Sequence, residues 1–260
     1  MTSKTIASLL GAAVLAAALP NLASSQTVFS EDFDSYTDGA DLHGVNGWAG
    51  WDGASPATAF VSSDYAYSGS NSVSITASSD LVQTFSSING GVWELSGMIY
   101  IPSAFSGESS FVLLNQYDGS GNRADYSWAP FMSFVGEDVA TEQYGMDEAI
   151  AVFWNAGRDG GYAESLALGQ WAEFHFVIDL DNNTVTASYN GTSFGTSYTW
   201  ASADTATEIQ AVDLWGNDTG PVYYDDIKLT RIQIPEPSTY ALLAGAAALG
   251  VAIIRRRKRS

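Results

Sequence analysis

The sequence predicts an all-β body folded as a two-sheet sandwich, with a short apolar segment at either end. Three observations predict it. Between Thr27 and Gln233 no segment sustains a period of 3.6, whereas short runs of period 2 recur throughout. Clusters of Gly, Asn, Asp and Ser separate those runs, as tight turns require. With no Cys, the chain can have no disulfide framework, so its body must be held by a core, which roughly 205 residues suffice to build.

At the N-terminus, Lys4 is followed by the apolar run from Ile6 to Leu19, then Pro20 and the small residues Ala23, Ser24 and Ser25. This is the order of a secretory signal peptide, so residues 1–26 are assigned to a signal helix with cleavage expected near Ser25 or Gln26. The run is under the roughly 20 residues that span a bilayer, which favours a removable address over a retained helix.

Strands are then predicted at Ser72 to Ala77, Leu81 to Phe85, Val92 to Ile101, Phe111 to Tyr117, Ala149 to Trp154, Glu173 to Leu180, Thr184 to Tyr189, Ile209 to Trp215 and Val222 to Ile232. The run at Glu173 is the clearest, because Phe174, Phe176, Ile178 and Leu180 point one way while Glu173, His175, Val177 and Asp179 point the other. Asp181, Asn182 and Asn183 supply the turn into the next strand, making a hairpin. No internal repeat and no Pro/Ser-rich divider interrupts this stretch, so 27–233 is read as one domain.

The charges are unevenly spread. From Glu31 to Arg231 the chain carries 28 acids against only Arg123, Arg158, Lys228 and Arg231, a net of −24 that repels nucleic acid and anionic membrane surfaces. Without Cys there is no thiol nucleophile or Cys-ligated zinc site, and His43 and His175 alone exclude a three-His metal site. At the C-terminus, Tyr240 to Ile254 is apolar and Arg255 to Arg259 is wholly basic, an orientation that leaves the body outside the membrane. Fifteen helical residues rise only about 22 Å against a hydrocarbon core of about 30 Å, so this helix makes a marginal permanent anchor.

The order Ile234, Pro235, Glu236, Pro237, Ser238, Thr239, apolar helix and basic stop resembles the PEP-CTERM sorting signal of exopolysaccharide-producing bacteria, over about the last 26 residues of 234–260. The resemblance implies recognition by an exosortase, cleavage near Pro235, Glu236 and Pro237, and release or attachment at the cell surface after a transient stay in the cytoplasmic membrane. Pro235 and Pro237 lack backbone donors and hold an extended segment that a processing enzyme can grip.

Within the body, Phe29 to Asp34, Gly169 to Asp179 with Tyr189 to Gly191, and Val222 to Leu229 resemble the concanavalin A-like, laminin G-like jelly rolls of exported bacterial proteins. The resemblance implies a jelly-roll sandwich whose terminal strands pair. It implies in addition a structural Ca²⁺ bridging the chain ends, for which Glu31, Asp32, Asp225 and Asp226 are the candidate ligands beside Asp34. Clustered carboxylates are costly without a cation, unless they simply alternate outward into water.

Other patterns are weaker. Asp179, Asp181 and Asn183 have the spacing of a calcium loop, but Thr184 stands where such a loop needs Gly. Gly191 to Gly195 matches the nucleophile-elbow pattern but lies between strands, where that motif needs a helix. No E-x-D-x-x-E occurs, the usual arrangement of jelly-roll glucanases, and so the body is expected to be noncatalytic. Sugar binding needs aromatic platforms with polar groups beside them. Trp171, Glu173 and His175, on the strand face opposite Phe174, form one candidate; Trp48 and Trp51 in the Gly-rich loop Gly44 to Gly53 form a second, mobile one. The expectation is an exported surface or matrix protein whose body contacts extracellular polysaccharide, with a glycan-degrading jelly-roll enzyme and an inert coat component as the competing readings.

Overall fold

The computed structural model describes residues 25–86, 88–121, 127–156, 162–203, 205–218 and 220–232, with the tail positions 245, 248, 249, 251 and 253–256. The expected signal helix and the Pro235-Glu236-Pro237 motif lie outside the described residues. The described tail positions are helical, and among the described residues no helix is long and apolar enough to cross a membrane.

The body, Ser25–Gln233, is one compact unit. Its strands are β1 (Gln26–Glu31), β2 (Trp48–Gly50), β3 (Phe60–Ser62), β4 (Ser72–Ile75), β5 (Asp80–Thr84), β6 (Val92–Tyr100), β7 (Glu108–Gln116), β8 (Ser127–Val135), β9 (Ile150–Trp154), β10 (Tyr162–Ser165), β11 (Trp171–Asp179), β12 (Thr184–Tyr189), β13 (Thr192–Ser193), β14 (Tyr198–Thr199), β15 (Ala211–Asn217) and β16 (Val222–Ile232). They form two antiparallel sheets. Sheet A runs β13, β12, β11, β6, β16, β4, β3, with β1 also on β16 and β14 on β12; sheet B runs β10, β9, β8, β7, β15, β5, β2. This is the two-sheet sandwich that the alternating runs predict, and the jelly roll is what the resemblance implies.

The sheets bury their facing sides in one aromatic core. Phe111, Phe134 and Phe153 of sheet B meet Phe174, Phe176 and Tyr224 of sheet A, the closest pair being Phe111 and Phe174 with ring centroids 4.4 Å apart. Gly97 on β6 is part of this packing, because the ring of Phe174 fills the space that a side chain there would take. The outer faces differ. In sheet A, β6 and β11 alternate buried and accessible positions along their length. In sheet B, β7 and β8 are buried on both sides. Trp51, Ala57 and Tyr117 cover one part of that outer face, and the helical segment 137–144 covers another through Val139, Ala140 and Tyr144.

Strand β16 organises sheet A. One edge pairs with β6 along its length, while the other pairs with β4 through Val222 to Tyr224 and with β1 through Ile227 to Arg231. The terminal strands thus pair, as the resemblance implies. Where the two partners hand over, β16 bulges against β6 between Asp225 and Lys228, with Asp226 in the left-handed region at φ 49°.

Candidate functional site

The bulge on β16 leaves room for a loop, 63–71, to fold over the outer face of sheet A. Its backbone is tied down by carboxylates. Asp225 accepts from the N–H groups of Tyr67 at 2.8 Å and Ser68 at 3.1 Å, and Asp34 accepts from Ser70 at 2.7 Å and Asn71 at 3.0 Å. At Gly69, φ is 58° and the Asp34 carboxylate occupies the place of a side chain, so glycine is required. Asp225 is fully buried. Burial pushes its carboxyl up to about 6, even though the N–H groups of Ser68, Tyr67 and Asp226 favour the charged form.

These bonds place Tyr65 and Tyr67 beside Trp171 of β11. Trp171 lies on the outer face, half-buried, with Glu173 exposed and His175 half-buried along the same strand. Its ring lies 5.8 Å from Tyr67 and 5.7 Å from Tyr100 of β6; Tyr100 in turn stacks on Tyr65 at 4.1 Å, and Tyr65 meets Tyr223 at 4.9 Å. The result is a continuous ridge of five rings, with Tyr65 39% and Tyr67 51% exposed. A cavity of about 260 Å³ lies on one side, lined by Tyr67, Ser96, Met98, Glu173, Asp226 and Lys228. Another of about 480 Å³ lies on the other, lined by Asp64, Tyr65, Pro102, Phe105, Pro221 and Tyr223. Charges on this face are partly matched: His175 Nε2 lies 2.7 Å from Glu94 Oε1, and Lys228 Nζ lies 3.4 Å from Asp226 Oδ1. Tyr223 donates to Asp64 at 3.4 Å, and burial together with that carboxylate pushes its hydroxyl up to about 12.

The strand alternation therefore orients Trp171, Glu173 and His175 as expected, with Phe174 and Phe176 in the core. The four tyrosines of the ridge were not in the sequence expectation, and their only signal there is the pair Tyr65 and Tyr67 in a Gly/Ser-rich stretch.

Trp48 and Trp51 correct the second expectation. Trp48 is 1% exposed and packs on Phe29 and Phe33 at about 6 Å, while Trp51 is 8% exposed and packs on Tyr117 at 5.0 Å. Neither is a mobile platform, because β2 and the short turn after it close the Gly-rich loop onto the sandwich.

The carboxylates named as calcium ligands are engaged by donors of the protein itself. Glu31 accepts from the Phe33 N–H at 2.9 Å, the Tyr36 hydroxyl at 2.9 Å and Trp48 Nε1 at 3.4 Å; Asp32 accepts from the Asp34 N–H at 3.1 Å. Asp225 accepts from three backbone N–H groups, and Asp226 holds Ser68 and Lys228. Asp34, Asp225 and Asp226 all tie down the loop 63–71, while Glu31 and Asp32 brace the turn after β1, and among the described residues no group of three or more such side chains is arranged to hold a metal ion.

Sheet B carries a second aromatic band. Trp51, Trp128, Phe131 and Trp154 follow one another at 6.1 to 6.5 Å, with Trp128 38% exposed. On the same sheet Asp213 of β15 is buried, and burial together with the neighbouring Asp80 pushes its carboxyl well up.

Fold and tail together define a jelly-roll protein with a C-terminal sorting signal. Residues 233–258 match the PEP-CTERM protein-sorting motif. No curated protein matches the chain. Among solved structures, the body is similar to a Bacillus subtilis protein of unknown function with a galectin-like fold, at 10% identity and TM-score 0.51, covering 82% of this chain and all of that one. Domain 4 of a GH43 extracellular arabinanase from Geobacillus stearothermophilus, solved with arabinotriose, matches at 13% identity and TM-score 0.48, covering 83% and 96%. The CBM22-1 xylan-binding domain of a Paenibacillus barcinonensis protein matches at 12% identity and TM-score 0.41, covering 82% and 98%. At such identities the likeness concerns the fold alone.

Proposed function

We propose that this is an exported, exosortase-sorted surface or matrix protein, anchored in the cytoplasmic membrane only until its tail is processed, whose noncatalytic body contacts extracellular polysaccharide through the outer face of sheet A. The observation that carries the reading is the ridge of Trp171, Tyr100, Tyr65 and Tyr67, accessible beside Glu173 and flanked by two cavities. Pyranose rings stack their C–H faces on such rings, while carboxylates and hydroxyls beside them bond sugar hydroxyls. The site is shallow, so affinity is expected to be weak and to depend on repeated contacts along a polymer.

The enzyme reading has one observation on its side, the neighbouring carboxyls of Asp80 and Asp213 on sheet B, where burial and Asp80 push the Asp213 carboxyl well up. Affinity electrophoresis of the body, 27–233, against a polysaccharide panel tests the proposal. Retardation in at least one gel, abolished by Trp171→Ala with the circular dichroism unchanged, is the expected outcome. Release of reducing ends from any member of the panel favours the enzyme instead.

A further inference from the structure

Resting on that reading, we infer that the polysaccharide is an amino-sugar polymer with free, protonated primary amines. The body carries 28 acids against 4 bases, and the proposed face keeps that imbalance. Of its basic groups, Lys228 is engaged by Asp226 and His175 by Glu94. Glu173 is exposed, and its carboxylate makes no hydrogen bond or ion pair among the described residues. The Asp64 carboxylate accepts from the hydroxyl of Tyr223, and its backbone N–H donates to the Ser62 hydroxyl, but it meets no cation among the described residues. Each cavity beside the ridge therefore holds one carboxylate with no basic partner, Glu173 in one and Asp64 in the other.

A uronate polymer laid along this ridge would bring its carboxylates against Glu173 and Asp64, and among the described residues the one Lys of the cavities, Lys228, is already engaged by Asp226. A neutral glycan would use the rings alone. A protonated amine gains from both partners, because an ammonium is attracted to the faces of Trp171, Tyr67 and Tyr100 and donates charge-assisted hydrogen bonds to the carboxylates. With a carboxylate on each side of the ridge, successive amino sugars can each find one.

The test compares three hexamers by titration at low salt: deacetylated glucosamine, N-acetylglucosamine and galacturonate. The expected order is glucosamine about three- to tenfold tighter than N-acetylglucosamine, with galacturonate not binding. Glu173→Gln should remove several-fold of the glucosamine affinity and leave N-acetylglucosamine unchanged. Trp171→Ala should lose both. Glu137→Gln, at an exposed position on the helical segment over sheet B, removes the same charge away from the face and should change nothing. If Glu137→Gln and Glu173→Gln weaken glucosamine equally, the attraction is the diffuse charge of the body and the inference fails. Galacturonate binding as well as glucosamine also overturns it, while leaving polysaccharide contact in place. If the folded body binds none of the three, the inference is overturned; retardation by a polymer of the electrophoretic panel then leaves polysaccharide contact in place, and retardation by none overturns that reading as well.

Discussion

Trp48 and Trp171 show how one side chain takes two roles by position. Trp48 is enclosed by Phe29 and Phe33, and its indole N–H reaches Glu31. Trp48→Ala leaves a cavity that sandwiched neighbours cannot close and should cost about 3–5 kcal/mol in urea unfolding. Trp171 touches only the rim of Tyr67 and Tyr100, so its truncation should cost less than about half of that. Equal losses would place Trp171 in the core. Of the site, the sequence made legible the part that alternation controls. Trp171, Glu173 and His175 could be assigned to one face because Phe174, Phe176 and Ile178 claim the other. Tyr65 and Tyr67 could not, since what brings them there is the bond from their loop to Asp225, more than 150 residues away in the chain. Trp48 and Trp51 misled for a related reason: glycines beside a tryptophan read as mobile, and only the strand pairing of β2 with β5 reveals that the loop is closed.

At the scale of elements, legibility follows solvent. Strands β6, β11 and β12 have one accessible face and so alternate in sequence, and their predicted limits lie within a residue or two of those observed, as do those of β16. Strand β8 escaped notice, because both its faces are covered and Pro130 sits inside it. That proline is accommodated where the register of β7 and β8 shifts, between Val112 and Leu114. Gly97 offers the element-scale test. With no room for a methyl group beside Phe174, Gly97→Ala must push β6 from the core or move the ring, and should destabilise the body by about 1–3 kcal/mol. A variant as stable as the parent in thermal unfolding would show that the packing of β6 on Phe174 is looser than described.

For the whole molecule, charge sets the response to pH. Asp225 titrates at about 6 when folded, against about 3.9 when unfolded. A raised folded value stabilises fully below the unfolded one and is lost as pH climbs through the folded one, here between about 4 and 6 for about 2–3 kcal/mol. Asp213 acts in the same direction. Asp41 and Asp118, held low by the N–H groups of His43 and Ser120, act oppositely but are exposed and screened. Mutual repulsion in a body of net −24 adds to the first pair. The melting temperature of the body should therefore be higher at pH 5 than at pH 8, and Asp225→Asn should flatten part of that slope. A melting temperature that rises from pH 5 to pH 8 would contradict the assignment.

The two sheets offer two aromatic faces, and the account commits to one of them. Hydroxyl-radical footprinting of the body, with and without a bound polysaccharide, reads both at once. Trp171, Tyr65 and Tyr67 on sheet A should be protected, with Trp128 and Trp154 on sheet B labelled as before. Protection confined to Trp128 and Trp154 would contradict it, and would move the binding face to the other side of the sandwich.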